Sequence, residues 1–439
     1  MRLKASVYTL GCRVNQYDSL RVMRALLERG FEIVPFGEPA DLVIVNSCTV
    51  TAEAERKTRK AVRQARRSSP GALVVLMGCS GEAREQGLLN FPLPEADLVV
   101  GLRGRERILE IIERSLGLPS LGPVGSLPRE ELKRAYSTAL LARARLPLKI
   151  QEGCDFQCSY CIVRLLRGEP RSVPIEEAVE EAHRLVEEGA REIVPTGTCL
   201  SLYGRDIAGR ALLPELLDRL AEVPGITIRL SSLLPADVTD ELLAVIKSHW
   251  PKICPHFHLP LQSGDDEILE RMRRPYRRAD YEGAVDRIRA ALPDAAITTD
   301  IMVGFPGETE RNFRNTLSLV REAEFSRLHI FPFSPRPGTT ASTLKDDVPG
   351  WEKHRRFKEL KSLGEELASH FRRRFIGRRV LALAEERLPD GRLAGTTAHY
   401  LRVVFDAEPD LGEERHYLVE VEGEDGEALT GRGEPSMPP

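Results

Sequence analysis

Glu152-Gly153-Cys154-Asp155-Phe156-Gln157-Cys158-Ser159-Tyr160-Cys161 places three cysteines within eight residues, with gaps of three and two. Residues 146–151 read as a strand that runs straight into the first of them. Three is odd and the loop is tight, so disulfide pairing cannot account for all of them. Facing one soft metal centre can. A zinc site would need a fourth ligand, and the nearest histidine in sequence is His183, on an expected helix. An iron–sulfur cluster held by three thiolates instead leaves one iron open for chemistry.

The chain around this loop has 439 residues, more than one ordinary core, so two or three domains are expected. Its 42% hydrophobic and 29% charged residues are those of a soluble globular protein. No apolar run reaches the ~20 residues of a membrane span. Met1-Arg2-Leu3-Lys4 leads into a strand pattern, not a signal peptide, so a cytoplasmic location without a membrane partner is expected. In that reducing compartment the eight cysteines point to metal binding or catalysis ahead of disulfides. The net charge of −3 leaves nucleic-acid binding to local patches.

Residues 1–116 alternate apolar strand runs (6–10, 42–45, 73–77, 98–100) with helical patterns near 15–29, 52–68, 82–89 and 104–116. That alternation predicts a parallel sheet with crossover helices. Cys12, Cys48 and Cys79 each follow a strand, 36 and 31 residues apart. The carboxyl ends of parallel strands form a ligand crevice, so the three converge as a second cluster site. Helix 52–68 carries seven basic residues, of which Arg56, Arg59, Lys60, Arg63 and Arg67 share a face. Such a face either meets solvent or contacts phosphate. Residues 117–140 read as a linker.

From 141 to 373 six strand candidates (146–151, 192–196, 227–231, 256–261, 298–303, 328–333) alternate with helices. In such a barrel the chemistry sits at the carboxyl ends of the strands. Those ends read Thr196-Gly197-Thr198, Ser231-Ser232, Gln262-Ser263-Gly264, Gly304-Phe305-Pro306-Gly307-Glu308-Thr309 and Ser334-Pro335-Arg336-Pro337-Gly338-Thr339. Small and polar residues gather at each, as binding an amino acid and a nucleoside requires. His256 and His258 alternate on a strand and resemble a metal pair only weakly. Cys254 precedes its strand and is expected to be inert; Cys199 lies just past one. Five arginines between Arg271 and Arg278 form a second candidate phosphate patch, with a solvated loop as the alternative. Residues 374–433 read as a small all-β domain with strands at 380–385, 397–405 and 417–422. Five arginines between Arg372 and Arg379 stand at its start, and ten carboxylates between Asp406 and Glu427 keep one face off a phosphate backbone. Residues 434–439 read as a disordered tail.

Cys154-x3-Cys158-x2-Cys161, with Tyr160 before the last cysteine, resembles the radical S-adenosylmethionine signature. Thr9-Leu10-Gly11-Cys12-Arg13-Val14-Asn15, Val45-Asn46-Ser47-Cys48-Thr49 and Met77-Gly78-Cys79 resemble the amino-terminal domain of the methylthiotransferases within that superfamily. Gly395-Thr396-Thr397-Ala398-His399-Tyr400 resembles the core of the TRAM domain. The resemblance implies an α/β chain: an amino-terminal open parallel sheet, a partial (β/α)6 barrel and a small TRAM-type β-barrel that binds RNA. It implies two [4Fe–4S] clusters, an auxiliary one on Cys12, Cys48 and Cys79 and one on Cys154, Cys158 and Cys161 that binds S-adenosylmethionine. The cofactor would be held at Tyr160, Gly197, Thr198, Ser231, Ser232, Gln262, Asp300, Gly304, Phe333 and Arg336, with no catalytic residue beyond the cluster ligands. The implied partners are tRNA and an electron donor such as flavodoxin or ferredoxin; the sulfur donor is left open.

Within the family, Thr9–Asn15, Arg229-Leu230-Ser231-Ser232 and Phe333-Ser334-Pro335-Arg336-Pro337-Gly338-Thr339 most resemble the branch acting on N6-threonylcarbamoyladenosine beside the anticodon. That branch replaces the C2 hydrogen by a methylthio group. Siblings modify isopentenyladenosine in tRNA or an aspartate of a ribosomal protein. Three positions depart from the pattern: Arg164 in place of proline, Cys199 near a usual histidine or asparagine, and Leu234 in place of glutamate. A non-enzymatic iron–sulfur RNA-binding protein would need neither an open iron nor polar strand ends.

Overall fold

A computed structural model describes residues 2–118, 131–132, 135, 144–408 and 415–437. Most of the expected linker, and the last two residues of the expected tail, lie outside this set.

Val, Ile and Leu run without interruption through 42–45 and 73–76, the pattern of strands buried on both faces of a parallel sheet. The first five strands form one sheet. These are β1 (Lys4–Thr9), β2 (Glu32–Ile33), β3 (Leu42–Ser47), β4 (Leu73–Gly78) and β5 (Leu98–Val100). All pairings are parallel and the order is β2-β1-β3-β4-β5. The sequence pattern had not marked β2, a two-residue edge. Helices α1 (Arg13–Glu28), α2 (Ala52–Ser68), α3 (Cys79–Glu85) and α4 (Ile108–Ser115) make the crossovers. Chain direction across the sheet switches between β1 and β3, where a crevice opens above the strand ends.

The central unit holds β6 (Arg145–Lys149), β7 (Gln151–Glu152), β8 (Arg171–Ser172), β9 (Glu192–Thr196), β10 (Thr227–Ile228), β11 (His256–His258), β12 (Ala296–Val303) and β13 (Arg327–Pro332). Two parallel three-stranded sheets, β10-β9-β6 and β11-β12-β13, are joined by bridges Ile228 to Ile253 and Ser232 to His258. The six strands thus follow one another in an open arc. β7 and β8 pair antiparallel and clamp the base of the 154–161 loop. One apolar core runs from the amino-terminal unit into this one, with Leu20 and Met23 of α1 in the same cluster as Leu146 and Leu148 of β6.

β14 (Arg379–Arg387), β15 (Leu393–Thr397), β16 (Arg402–Asp406), β17 (His416–Asp425) and β18 (Ala428–Ser436) close into a barrel around Val403, Phe405, Tyr417 and Val419. The single strand expected at 397–405 is two, because Tyr400 takes a left-handed φ of 61° and turns the chain between β15 and β16. The tail expectation fails from 434 to 436. Those residues are strand, with Glu434 and Pro435 opposite Leu418 and Tyr417. Without β18, both β16 and β17 would present open edges.

Candidate functional site

The first cysteine triad is set by sheet topology. Cys12 follows β1 and caps α1, Cys48 follows β3, and Cys79 opens α3 after β4. Gly11, at φ 105°, lets the first loop touch the second: a Cβ there would lie 2.8 Å from that of Cys48. Two buried amides lock these loops. Asn15 Nδ2 donates to the carbonyls of Leu10 (2.9 Å) and Ser47 (2.8 Å). Asn46 Nδ2 donates to the carbonyl of Asn15 (2.7 Å) and to Ser19 Oγ (2.9 Å). Burial pushes the Cys48 thiol up to about 12, and the nearby Cys79 and Cys12 add to the effect. Burial also raises the Cys79 thiol, against the pull of Arg167. Metal binding here must therefore displace protons from the two buried thiols.

The second triad is set by its own loop. The Cys154 N–H donates to the carbonyl of Gly168 (2.9 Å), and Ser159 N–H to that of Met272 (2.9 Å). Arg274 Nη1 lies 3.3 Å from Cys158 Sγ and 3.5 Å from the Tyr160 hydroxyl. Burial pushes the Cys161 thiol up to about 11. Cys199, given no role from sequence, has its thiol in hydrogen-bond contact with Cys154, which raises the Cys154 thiol and lowers its own.

Donor chemistry separates the two metal readings. His183 is exposed on the outer helix Ile175–Glu187 and supplies no fourth ligand. Among the described residues, the only His, Cys or carboxylate group with all ligand atoms within 4.8 Å is His258, Asp300 and His329. Neither cysteine triad is therefore closed to the ~3.8 Å sulfur separation that ~2.3 Å tetrahedral zinc bonds impose. Two open triads suit clusters, in which each cysteine sulfur would bind a different iron.

Arg167, on the short helix after Cys161, ties the triads together. Its Nη2 reaches Asn15 Oδ1 (2.7 Å) and Cys79 Sγ (3.7 Å), and its Nη1 reaches Glu152 Oε1 (2.6 Å). Burial alone would lower its pKa, yet Cys79, Asp18, Cys12 and Glu152 together raise it.

A pocket of about 260 Å³ lies between the two units, lined by Cys12 and Arg13 from one and by Gly197, Ser231, Ser232 and His258 from the other. Tyr400 of the small barrel completes it. Thr198 sits at the base of the cysteine loop, its Oγ1 accepting from Gly153 N–H (3.2 Å). Gln262, at φ 67°, buries an Oε1 with no hydrogen-bond partner among the described residues, an acceptor left for a ligand. Burial would raise the Asp300 carboxyl, but hydrogen bonds from His258 and His329 hold it well below the carboxylate range. Gly304 N–H donates to Glu308 Oε2 (2.6 Å). Phe333 packs with Met272, Met302 and Phe305, with Tyr160 against them.

Arg336 stands apart from the pocket. Its Nη2 binds Glu55 Oε2 (2.6 Å) and Thr49 Oγ1 (2.9 Å), so the guanidinium is committed to the joint with the amino-terminal sheet. The His256–His258 pair also divides. His256 stacks on Tyr400 (4.3 Å between centroids), and burial drops its pKa well below the usual value. His258 joins Asp300 and His329 instead. Cys254 is buried against Leu381 and Ala398 of the small barrel, and burial pushes its thiol up to about 12. At Leu234 the backbone N–H donates to Asp237 Oδ2 (2.7 Å).

The basic clusters are less open than their sequence implied. On α2, Arg59 turns onto the Phe91 ring (5.1 Å), while Arg56, Lys57, Lys60, Arg63 and Arg67 remain exposed. In the 271–278 cluster Arg274 is half-buried and turned onto Cys158 and Tyr276, Arg277 pairs with Glu270 and Arg278 with Glu282 and Glu322. Arg372 and Arg373 pair with Glu424, Arg374 and Arg378 with Asp294, and Arg379 with Glu434. A larger groove of about 780 Å³ runs between β13, the helix Gly350–Arg373 and the small barrel. Arg145, Arg327, Lys361 and Arg402 line it, and Tyr400 is the wall it shares with the inner pocket. No helix among the described residues is long and apolar enough to cross a membrane.

Arg13, Arg167 and Tyr400 were not singled out by sequence reasoning as site residues, Arg274 entered only as part of a phosphate patch, and Cys199 was given no role. Arg13 and Arg167 stood beside the cysteine motifs, which is the one signal that could have flagged them.

Residues 148–320 match the family model described as the Radical SAM superfamily, and residues 4–101 match one described as Uncharacterized protein family UPF0004. The chain is 39% identical over 401 residues to the threonylcarbamoyladenosine tRNA methylthiotransferase MtaB of Thermotoga maritima, covering 91% of this chain and 90% of that one. It is 40% identical over 420 residues to the protein of the same name from Aquifex aeolicus, covering 95% and 100%. With a tRNA-2-methylthio-N(6)-dimethylallyladenosine synthase of Syntrophotalea carbinolica it shares 35% over 414 residues, covering 92% and 93%. Among solved structures, the radical S-adenosylmethionine methyltransferase TsrM of Kitasatospora setae superposes with a TM-score of 0.54 at 16% identity, covering 78% and 77%. That likeness concerns the fold alone.

Proposed function

The chain belongs to the radical S-adenosylmethionine methylthiotransferases, and from that premise we propose that it replaces the C2 hydrogen of N6-threonylcarbamoyladenosine in tRNA by a methylthio group. One observation carries the reading: Cys12 of the amino-terminal triad lines the same 260 Å³ pocket as Gly197, Ser231 and Ser232 at the barrel strand ends. A sulfur-bearing site and a cofactor-bearing site therefore share one chamber.

Cys154, Cys158 and Cys161 would hold one [4Fe–4S] cluster beside S-adenosylmethionine, and Cys12, Cys48 and Cys79 the other. When bound, these groups supply one-electron cleavage of the cofactor and the sulfur and methyl that are transferred. The chain's own work is positioning. Ser231, Ser232 and the unpartnered Gln262 Oε1 offer polar contacts at the strand ends, and Asp300 stays ionised between His258 and His329. The buried Phe333 and Phe305 keep water from the side of the central loop.

The tRNA would follow the outer groove, its phosphates near Arg327, Lys361 and Arg402, and its base would pass Tyr400 into the inner pocket. In this reading residues 374–436 form the RNA-binding domain, and an electron donor such as flavodoxin or ferredoxin reduces the central cluster in the cytoplasm. The choice of base follows the relatives named for threonylcarbamoyladenosine. Nucleoside analysis of tRNA from a strain lacking the chain tests it. The methylthio form of threonylcarbamoyladenosine should vanish and return on complementation. Loss of methylthio-isopentenyladenosine, or of a modified ribosomal aspartate, would move the chain to a sibling branch.

A further inference from the structure

We propose that Arg13 is the receptor for the carboxylate of the threonylcarbamoyl group, and so the residue that selects this base over one with a neutral N6 substituent. The proposal rests on the function proposed above, and deepens it to a named side chain.

Arg13 is the first residue of α1 and follows Cys12 directly, so the fold that places the sulfur-bearing triad also places this guanidinium on the pocket wall. Among the described residues its guanidinium makes no hydrogen bond or ion pair. The neighbouring basic side chains differ. Arg229 is bonded to Glu192 (2.7 and 2.9 Å), and Arg145 is bonded to Glu192 as well. His258 and His329 share Asp300. His256 is buried, stacked on Tyr400 and bonded to Thr298 (3.0 Å). Arg13 is the one arginine or lysine among the described residues lining the pocket, and its guanidinium is left without an anionic or hydrogen-bonding partner.

Arg13 is half-buried on the pocket wall. A half-desolvated charge without its complement favours an anion. Cys12, the residue capping α1, contributes no capping hydrogen bond, so the helix also presents an uncapped positive end beside Arg13.

The threonylcarbamoyl group ends in a carboxylate, which pairs with a guanidinium in a bidentate manner. A dimethylallyl group has nothing to offer it and would seal a charge away from water. Discrimination is then steep in one direction, because the mismatched substrate strands a polar group.

The test uses the reconstituted full chain and three anticodon stem-loops. One carries threonylcarbamoyladenosine, one its methyl ester and one dimethylallyladenosine. Wild type should prefer the acid over the ester. Arg13→Gln should raise the KM for the acid by roughly 10- to 100-fold, with a smaller change in kcat, and lose the preference over the ester. Arg13→Lys should recover part of both. Iron content and melting temperature report on folding, and the acid-over-ester ratio of wild type and Arg13→Lys stands if Arg13→Gln does not fold. An unchanged acid preference in Arg13→Gln overturns the assignment while leaving the proposed function intact. So does a raised KM for S-adenosylmethionine with base selectivity unaltered, which would put the guanidinium on the cofactor. Failure of wild type to modify the acid-bearing stem-loop overturns both.

Discussion

Cys12, Cys48 and Cys79 are gathered by the topology of a sheet, whereas Cys154, Cys158 and Cys161 are gathered by one loop. The first site needs three strands in the correct order and two buried amides to join their ends. The second needs only its clamp, β7 with β8, and contacts from Met272 and Arg274. Their arginines differ in the same sense. Arg167 reaches Cys79 while balancing Glu152 and Asp18, so it belongs to an ionic network; Arg274 reaches Cys158 among tyrosines and has no carboxylate partner among the described residues. A site assembled from distant segments depends on the whole unit, and a loop site on its immediate shell.

The largest expected effect separates the triads chemically. Alanine at Cys154, Cys158 and Cys161 should abolish both 5′-deoxyadenosine formation and methylthiolated tRNA. Alanine at Cys12, Cys48 and Cys79 should leave the first measurable and remove the second. Chromatography of both products from one anaerobic reaction checks this, and methylthio product from the amino-terminal triple variant would erase the distinction. Bound iron should fall by about half in either variant.

The arginines sharpen the contrast next. Arg167→Ala should cost about 3 kcal/mol in denaturant unfolding, the low end for a broken buried pair. Arg105 and Lys149 still face Glu152 in that variant. Arg274→Ala removes hydrogen bonds but no ion pair and should cost about 1–2 kcal/mol. Equal costs would mean that the two triads are supported alike.

A third test concerns the joint of the small barrel, away from either triad. His416 faces Thr227 (3.3 Å) and His399 packs on Phe375 (4.6 Å between centroids); burial lowers both to about 4. Below the ordinary pKa of 6.5 the unfolded chain takes up protons that the folded barrel refuses until about pH 4. Stability should therefore fall as pH drops from 6.5 to 4, by at most about 3 kcal/mol per histidine. Melting curves across that window should flatten when both are glutamine. The smallest effect is at the surface. Arg379 and Glu434 are more than half exposed, so Arg379→Ala should change stability by no more than about 0.5 kcal/mol.

The loop site was legible in the sequence because its ligands are neighbours there. The sheet site was legible because each cysteine ended a recognisable strand, and parallel topology converts that pattern into proximity. What stayed hidden depends on side-chain direction across units. Arg336 sat in a strand-end motif yet points to Glu55, and the five arginines that stand at 372–379 in the sequence are answered by Glu424, Asp294 and Glu434. Charge runs show where cations stand, not which anions arrive through tertiary structure. The 434–436 stretch read as tail because Gly433, Glu434 and Pro435 carry no strand propensity; barrel closure, not local preference, makes it a strand.

Tyr400 has a wider consequence. Its ring is a wall of both the outer groove and the inner pocket, held by the stack on His256 and by Arg229, whose Nη atoms also bind the carbonyls of Thr397 and Ala398 (both 3.1 Å). The barrel that bears it is thus no detachable module. Deleting the chain beyond Arg373 would uncover Arg229 and open the chamber, so such a deletion cannot report on tRNA grip alone. A chimaera carrying a relative's small barrel would inherit a foreign chamber wall together with the foreign RNA surface, and its base preference would change along with its choice of tRNA.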